Sequence, residues 1–181
     1  MSRARWLVAP LLAWPLISCE SAPDAPAPAP APAAAPADAD PLVAYDLRRL
    51  RPVDDEPLAA MFDRVHAAAR GEGKRVVVLF SADWCEPCKR LDLELGNMHP
   101  SSMIGDVRIL ELKEDDWKAA ARMDEYNDLR ARWEPVAGNY PLVLLLDPQG
   151  QRIDEMKEAK LRLEAQGVEP TLPVWLGSTR A

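Results

Sequence analysis

Val76-Val77-Val78-Leu79-Phe80, running on through Ser81-Ala82-Asp83 into Trp84-Cys85-Glu86-Pro87-Cys88-Lys89, is the stretch on which the fold turns. The uninterrupted apolar run from Arg75 to Phe80 suits a central strand buried on both faces. Two cysteines then stand two residues apart, where strand gives way to helix. Thiols so spaced can close a small disulfide ring. A helix N-terminus adds unpaired N–H groups and partial positive charge, which stabilise a thiolate on the first sulfur. The pattern is that of a redox dithiol, and it implies no cofactor.

Working outward, Asp54-Asp55-Glu56-Pro57 is an acidic start to a helix in which Leu58, Met61, Phe62, Val65 and Ala69 recur at helical spacing until Gly71 and Gly73. His66 on this helix reads as a solvated or boundary side chain. Beyond the cysteines, Cys88, Leu91, Leu95 and Met98 form one apolar helical face. Val107 to Leu112 suggests a strand. Asp115 and Asp116 open a helix carrying Trp117, Ala120, Met123, Tyr126, Leu129 and Trp133, an aromatic stripe suited to packing. Leu142 to Leu146, the turn Asp147-Pro148-Gln149-Gly150 and Gln151 to Ile153 read as an antiparallel hairpin. Asp154 to Gln166 is a last amphipathic helix, stopped by Gly167 and Pro170. Val43 to Val53 stays open between a strand and a strap against the domain.

The N-terminal part is of another kind. Ten of the 18 prolines lie before Val53, and Ala22 to Pro41 is almost entirely Ala, Pro and Asp. Such a segment buries too little apolar surface to fold and favours extended polyproline II, spanning about 60 Å at roughly 3.1 Å per residue. Before it, Arg3 and Arg5 precede an apolar core from Leu7 to Ile17 that is too short to span a bilayer as a helix. That is the pattern of an export signal. Leu16-Ile17-Ser18-Cys19 resembles the lipobox of bacterial lipoproteins. The resemblance implies that residues 1–18 are a lipoprotein signal peptide, that Cys19 carries a diacylglyceryl anchor, and that the protein is periplasmic and held to a membrane by lipid. Glu20, which is not the aspartate linked with inner-membrane retention, makes the outer membrane the default. An ordinary secretory signal with an incidental cysteine is the alternative.

With 29 acidic against 22 basic residues the net charge is −7, and loss of the signal would remove Arg3 and Arg5 but no acid. This balance argues against nucleic acid as a partner and against broad adhesion to anionic lipid heads. With Cys19 assigned to the anchor, only Cys85 and Cys88 remain in the folded part. A single close pair in an exported protein is better read as working chemistry than as scaffold.

The element order, with Cys-x-x-Cys after the first central strand and Asn139-Tyr140-Pro141-Leu142-Val143 before the hairpin, resembles the thioredoxin-like family over about Pro57 to Gln166. The resemblance implies an α/β fold, a three-layer sandwich with a central mixed sheet of four to five strands flanked by helices. It divides the chain into the signal (1–18), a lipidated N-terminus and linker (19–53) and a thioredoxin-like domain (54–181). It makes Cys85 the exposed nucleophile, Cys88 the buried resolving thiol, and Cys85–Cys88 the disulfide of the oxidised form. Pro141 becomes a cis-proline facing them, leaving the backbone of Tyr140 free to pair with an extended substrate; Trp84 packs beside the thiols or is a plain core residue.

Two departures stand out. Thioredoxins carry a buried aspartate six positions before the first cysteine, and here that position is Leu79. On an ungapped alignment Glu111 falls where those proteins place a lysine, so Glu111 is either a carboxylate assisting Cys88 or an exposed strand residue. The Glu86-Pro87 dipeptide makes Cys-Glu-Pro-Cys similar to the motif of membrane-tethered thioredoxin-like proteins that reduce apocytochrome c. The Glu86 carboxylate disfavours a thiolate on Cys85, which points to a reductant or isomerase rather than a strong oxidase; Lys89 and Arg90 oppose it. The expected function is thiol–disulfide exchange with the disulfides and dithiols of exported proteins, served by a further redox protein. A non-catalytic binding lipoprotein with a structural disulfide is the alternative. A third reading gives Cys85, Cys88 and His99 to a metal, but no fourth ligand lies nearby, and the expectation is no metal.

Overall fold

A computed structural model describes residues 39–135 and 138–180. The signal, Cys19 and nearly all of the Ala/Pro-rich segment lie outside the described residues. In chain order the elements are β1 (Leu42–Ala44), β2 (Asp46–Arg49), α1 (Leu58–Gly71), β3 (Arg75–Ser81), α2 (Glu86–Leu95), β4 (Met98–Pro100) and α3 (Ser101–Ile104). Then follow β5 (Val107–Lys113), α4 (Glu114–Ala119), α5 (Met123–Ala131), β6 (Leu142–Leu146), β7 (Arg152–Glu155), α6 (Met156–Ala165) and α7 (Leu172–Ser178). Five strands form one mixed sheet in the order β2-β5-β3-β6-β7, and β1 pairs with β4 in a separate two-stranded ribbon.

Strand β3 is the spine. It runs parallel to β5 and antiparallel to β6, so both of its edges are hydrogen-bonded. Its side chains alternate between two cores. Val77 and Leu79 join Leu91, Leu95, Ile109, Val143 and Trp175 on the face covered by α2, α3, α6 and α7. Val76, Val78 and Phe80 join Leu58, Phe62, Leu110, Trp117 and Tyr126 on the face covered by α1, α4 and α5. Because both faces are covered, the strand reads as continuous apolar sequence rather than alternation. The expected three-layer α/β sandwich is thus the fold.

Polar contacts tie the layers together. Pro57, at the N-cap of α1, has no side-chain cap to offer. Glu125 supplies one from α5, its carboxylate accepting from the Leu58 N–H at 2.8 Å. Arg122, donating to Glu125 at 2.6 Å, together with that N–H, holds the Glu125 carboxyl down at about 2. Arg108 on β5 is buried and reaches both Asp46 of β2 and Glu72 after α1.

The structure changes several expectations. The folded body begins before residue 54: β2 pairs in parallel with β5 from Asp46↔Arg108 to Arg49↔Glu111, and Arg49 donates twice to Asp116 at 2.8 Å. The helix expected from Asp115 to Trp133 is two helices. Ala121 takes φ +55°, and the Arg122 N–H turns back to the Trp117 carbonyl at 2.9 Å, so α4 and α5 meet at a bend. Met98 lies outside α2, on β4, and is exposed. His66 is buried, stacked on Phe62 at 5.7 Å, and burial together with the nearby Arg70 charge lowers its pKa. The return strand is shifted to Arg152–Glu155, so α6 starts only at Met156.

Helix α7 was not anticipated. Leu172, Trp175 and Leu176 are buried, and the Trp175 indole N–H donates to Asp154 Oδ2 at 2.8 Å. Trp175→Ala therefore removes both a core side chain and a fixed polar contact. The expected cost is about 3–5 kcal/mol, seen as a lower urea midpoint with an unchanged slope.

Candidate active site

The site begins where β3 ends. Ser81 and Ala82 remain buried, and the Cys85 N–H donates to the Ala82 carbonyl at 3.1 Å, closing a turn that aims the chain into α2. Cys85 is the N-cap of α2, in extended conformation. Its Sγ accepts from the Cys88 N–H at 3.2 Å, the position a serine or aspartate oxygen fills in other helices. Pro87 in the first turn lacks an N–H that would have no helical partner anyway.

Cys85 and Cys88 are joined by a disulfide with their Cα atoms 5.2 Å apart. In the reduced state the same Cys88 N–H and the positive end of α2 favour negative charge on the Cys85 sulfur. Glu86 and Lys89 pair at 3.3 Å, and both are more than half exposed (68% and 57%). Their opposed effects on Cys85 are therefore small.

Both cysteines are buried. Cys85 is 4% exposed and Cys88 1%, which corrects the expectation of an exposed first cysteine. The reason is Tyr140, whose partly buried side chain packs against the Ala82, Cys85 and Cys88 cluster. Trp84 is not a core residue: it is 62% exposed and meets the Tyr140 ring edge-on at 5.6 Å. The Tyr140–Pro141 peptide is cis.

Tyr140 is held from below. Its hydroxyl shares a 3.0 Å hydrogen bond with that of Tyr126, and its pKa is pushed up to about 12, first by burial. Arg130, only 2% exposed, lies with its guanidinium 5.0 Å from the Tyr140 ring centre and 6.0 Å from that of Phe80. One Nη donates to the Asn139 carbonyl at 3.0 Å, fixing the backbone just before the cis bond. Arg130 and Tyr126 escaped the sequence reading as site residues. The signal was there: Arg130 stands four positions after Tyr126, on the buried face of the same helix.

Glu111 is not the exposed strand carboxylate of the alternative reading. It is 5% exposed and its Oε1 accepts from the Ser81 hydroxyl at 3.1 Å. In the ladder it stands opposite Leu79, the position of the missing aspartate. By strand alternation its side chain shares the sheet face of Val107, Ile109 and Leu79, the face on which Leu91 and Leu95 of α2 pack. Burial pushes the Glu111 carboxyl up; the Ser81 hydroxyl and the charges of Arg49 and Lys113 oppose this only in part. Ser81 was likewise overlooked, although it falls two residues after Leu79 and so on the same face.

The three residues of the metal reading make other contacts. His99 Nε2 lies 2.8 Å from Glu94 Oε1, the cysteines are bonded to each other, and among the described residues no group of His, Cys, Asp or Glu is placed to hold an ion. Among the described residues, too, no helix is long and apolar enough to cross a membrane.

A family model described as a thioredoxin-like domain matches residues 62–160. Thioredoxin H10 of Arabidopsis thaliana is 38% identical over 58 residues, which are 29% of this chain and 38% of that protein, so the chain spans well under half of that relative's length. Among solved structures, the disulphide isomerase of Xylella fastidiosa Temecula1 is 17% identical, with 70% of this chain and 91% of that one covered and a TM-score of 0.46. A poplar thioredoxin h is 20% identical, with coverages of 67% and 96% and a TM-score of 0.40.

The raised carboxyl of Glu111 has a pH signature. A carboxyl whose folded pKa exceeds its unfolded one stabilises the fold below the ordinary value of 4.5, and that advantage is lost as pH rises through the folded value. Urea midpoints of Glu111→Gln and wild type, compared between about pH 4 and pH 8, should therefore shift in favour of the variant as pH rises. A constant difference would mean that Glu111 is not destabilised by burial.

Proposed function

The chain belongs to the thioredoxin-like domain family, and from that premise we propose that it is a thiol–disulfide oxidoreductase of the bacterial envelope that reduces or isomerises disulfides in exported proteins. The observation that carries the reading is the Cys85–Cys88 disulfide at the mouth of α2, with the Cys88 N–H directed at the Cys85 sulfur. The lipobox-like Leu16-Ile17-Ser18-Cys19 supports export and attachment to a membrane through Cys19, the outer membrane being the default address. No nucleic acid enters this scheme.

The exchange runs in two displacements. Cys85 thiolate attacks one sulfur of a client disulfide; the client S–S bond breaks, a mixed disulfide forms, and the other client sulfur leaves as a thiolate that takes up a proton. Cys88, once deprotonated, attacks the Cys85 sulfur, closes the Cys85–Cys88 bond and expels the second client sulfur. Two electrons and two protons pass to the client in all. A donor dithiol protein reverses these steps on the enzyme and supplies the next pair.

In this scheme Glu111 is the proton acceptor for Cys88. It faces the α2 side of the sheet, its neutral form is favoured by burial, and its link to Ser81 keeps it in place. Tyr140 and Pro141 present backbone to the client, while Trp84 and Tyr140 shape the entrance. The burial of Cys85 favours a second reading, in which the disulfide stays closed and the domain only binds a partner.

Insulin reduction driven by dithiothreitol separates the two. The exchange reading expects turnover that Cys85→Ser abolishes and covalent client adducts that accumulate in Cys88→Ala; the binding reading expects neither. Within the exchange reading, Glu111→Gln should slow resolution of the mixed disulfide on the order of a hundredfold, leaving its formation unaffected. An unaltered resolution rate removes Glu111 from the mechanism.

A further inference from the structure

A groove of about 540 Å³ opens beside Tyr140 and Pro141, walled by α2, by the first turns of α6 and by the Pro170–Leu172 segment that leads into α7. Its floor is apolar, with Leu91, Met156 and Leu172 all buried. Its charged rim is Arg90, Lys157, Lys160 and Glu94. Glu94 is already committed: one oxygen lies 3.0 Å from the Tyr45 hydroxyl and 2.8 Å from His99 Nε2, and the other accepts from Asn97 at 2.9 Å.

The three cations are not committed. On this acidic surface most basic side chains are held by carboxylates, as Arg49 is by Asp116, Arg75 by Asp106, Arg108 by Asp46 and Glu72, and Arg122 by Glu125. Among the described residues only Arg70, Arg90, Lys118, Lys157 and Lys160 have neither an ion pair nor a hydrogen bond from their side chains. Arg90, Lys157 and Lys160 all line this one groove. A chain with net charge −7 thus offers a local positive surface next to its dithiol.

We propose that this groove docks an acidic, extended segment of the client next to its reacting cysteine, the apolar floor taking a side chain and Arg90, Lys157 and Lys160 taking carboxylates. Complementary charge around a short contact sets which partners are captured and how fast, more than how tightly. Against a surface that repels acidic chains elsewhere, the groove makes the dithiol the place where such a chain is welcome. The proposal deepens the exchange reading, since it rests on the groove's being lined by Pro87, between the two cysteines, and by Pro141, but docking itself needs no electron transfer.

The test is therefore a binding one. Two dye-labelled peptides of equal length and apolar content, lacking cysteine and carrying either Asp/Glu or Lys/Arg, are titrated by fluorescence anisotropy onto the full chain and onto Arg90→Glu/Lys157→Glu/Lys160→Glu. The wild type should hold the acidic peptide about tenfold more tightly, the preference should fall with added salt, and the triple variant should reverse it. Equal affinities for the two peptides in the wild type, or a preference that survives the triple variant, overturns the proposal. So does a result in which the three cations matter only for binding vesicles of phosphatidylglycerol. Loss of insulin reduction with peptide preference intact would sink the exchange reading alone.

Discussion

The structure depends on β3 being shielded on every side. Its backbone is paired along both edges, by β5 and β6, and its side chains fill two separate cores. A strand so enclosed cannot shift register without moving Val77 and Leu79 into one core's place and Val78 and Phe80 into the other's. That fixes where it ends, and so fixes Ser81, Ala82 and the cap of α2. The dithiol is thus positioned by this enclosed strand, with Cys85 capping α2 and Cys88 in its first turn.

Much of this was legible. The apolar run, the two cysteines, Pro141 before Leu142–Leu146 and the Asp147–Gly150 turn each carry strong local chemistry, and they appear where expected. What escaped the sequence was structure made by distant partners. β2 reads Asp46-Leu47-Arg48-Arg49, poor strand material by propensity, and it is a strand because β5 offers an edge and because Asp116 and Arg108 take its charges. The bend at Ala121 carries no glycine to announce it, and α7 hides behind Pro170 and Pro173, of which the second sits comfortably in a first turn.

At the site the same division holds. The sulfurs and the cis-proline segment are local motifs. The buried carboxylate is not: Glu111 is an ordinary residue of a strand until the register places it opposite Leu79 and within reach of Ser81. Arg130 is similar, a charge in an amphipathic helix whose burial makes sense only once Phe80 and Tyr140 flank it. A thioredoxin-like domain that lacks the usual aspartate thus brings a carboxyl to the same sheet face from the neighbouring strand.

The two outer strands of the sheet, β2 and β7, carry Asp46, Arg48 and Arg49 at one border and Arg152, Asp154 and Glu155 at the other. Open strand borders invite pairing between molecules, and charges along them make such pairing costly. Copies crowded together at high concentration would thus meet borders that resist zipping into aggregates, and solubility is protected at the very margins where a mixed sheet is most vulnerable.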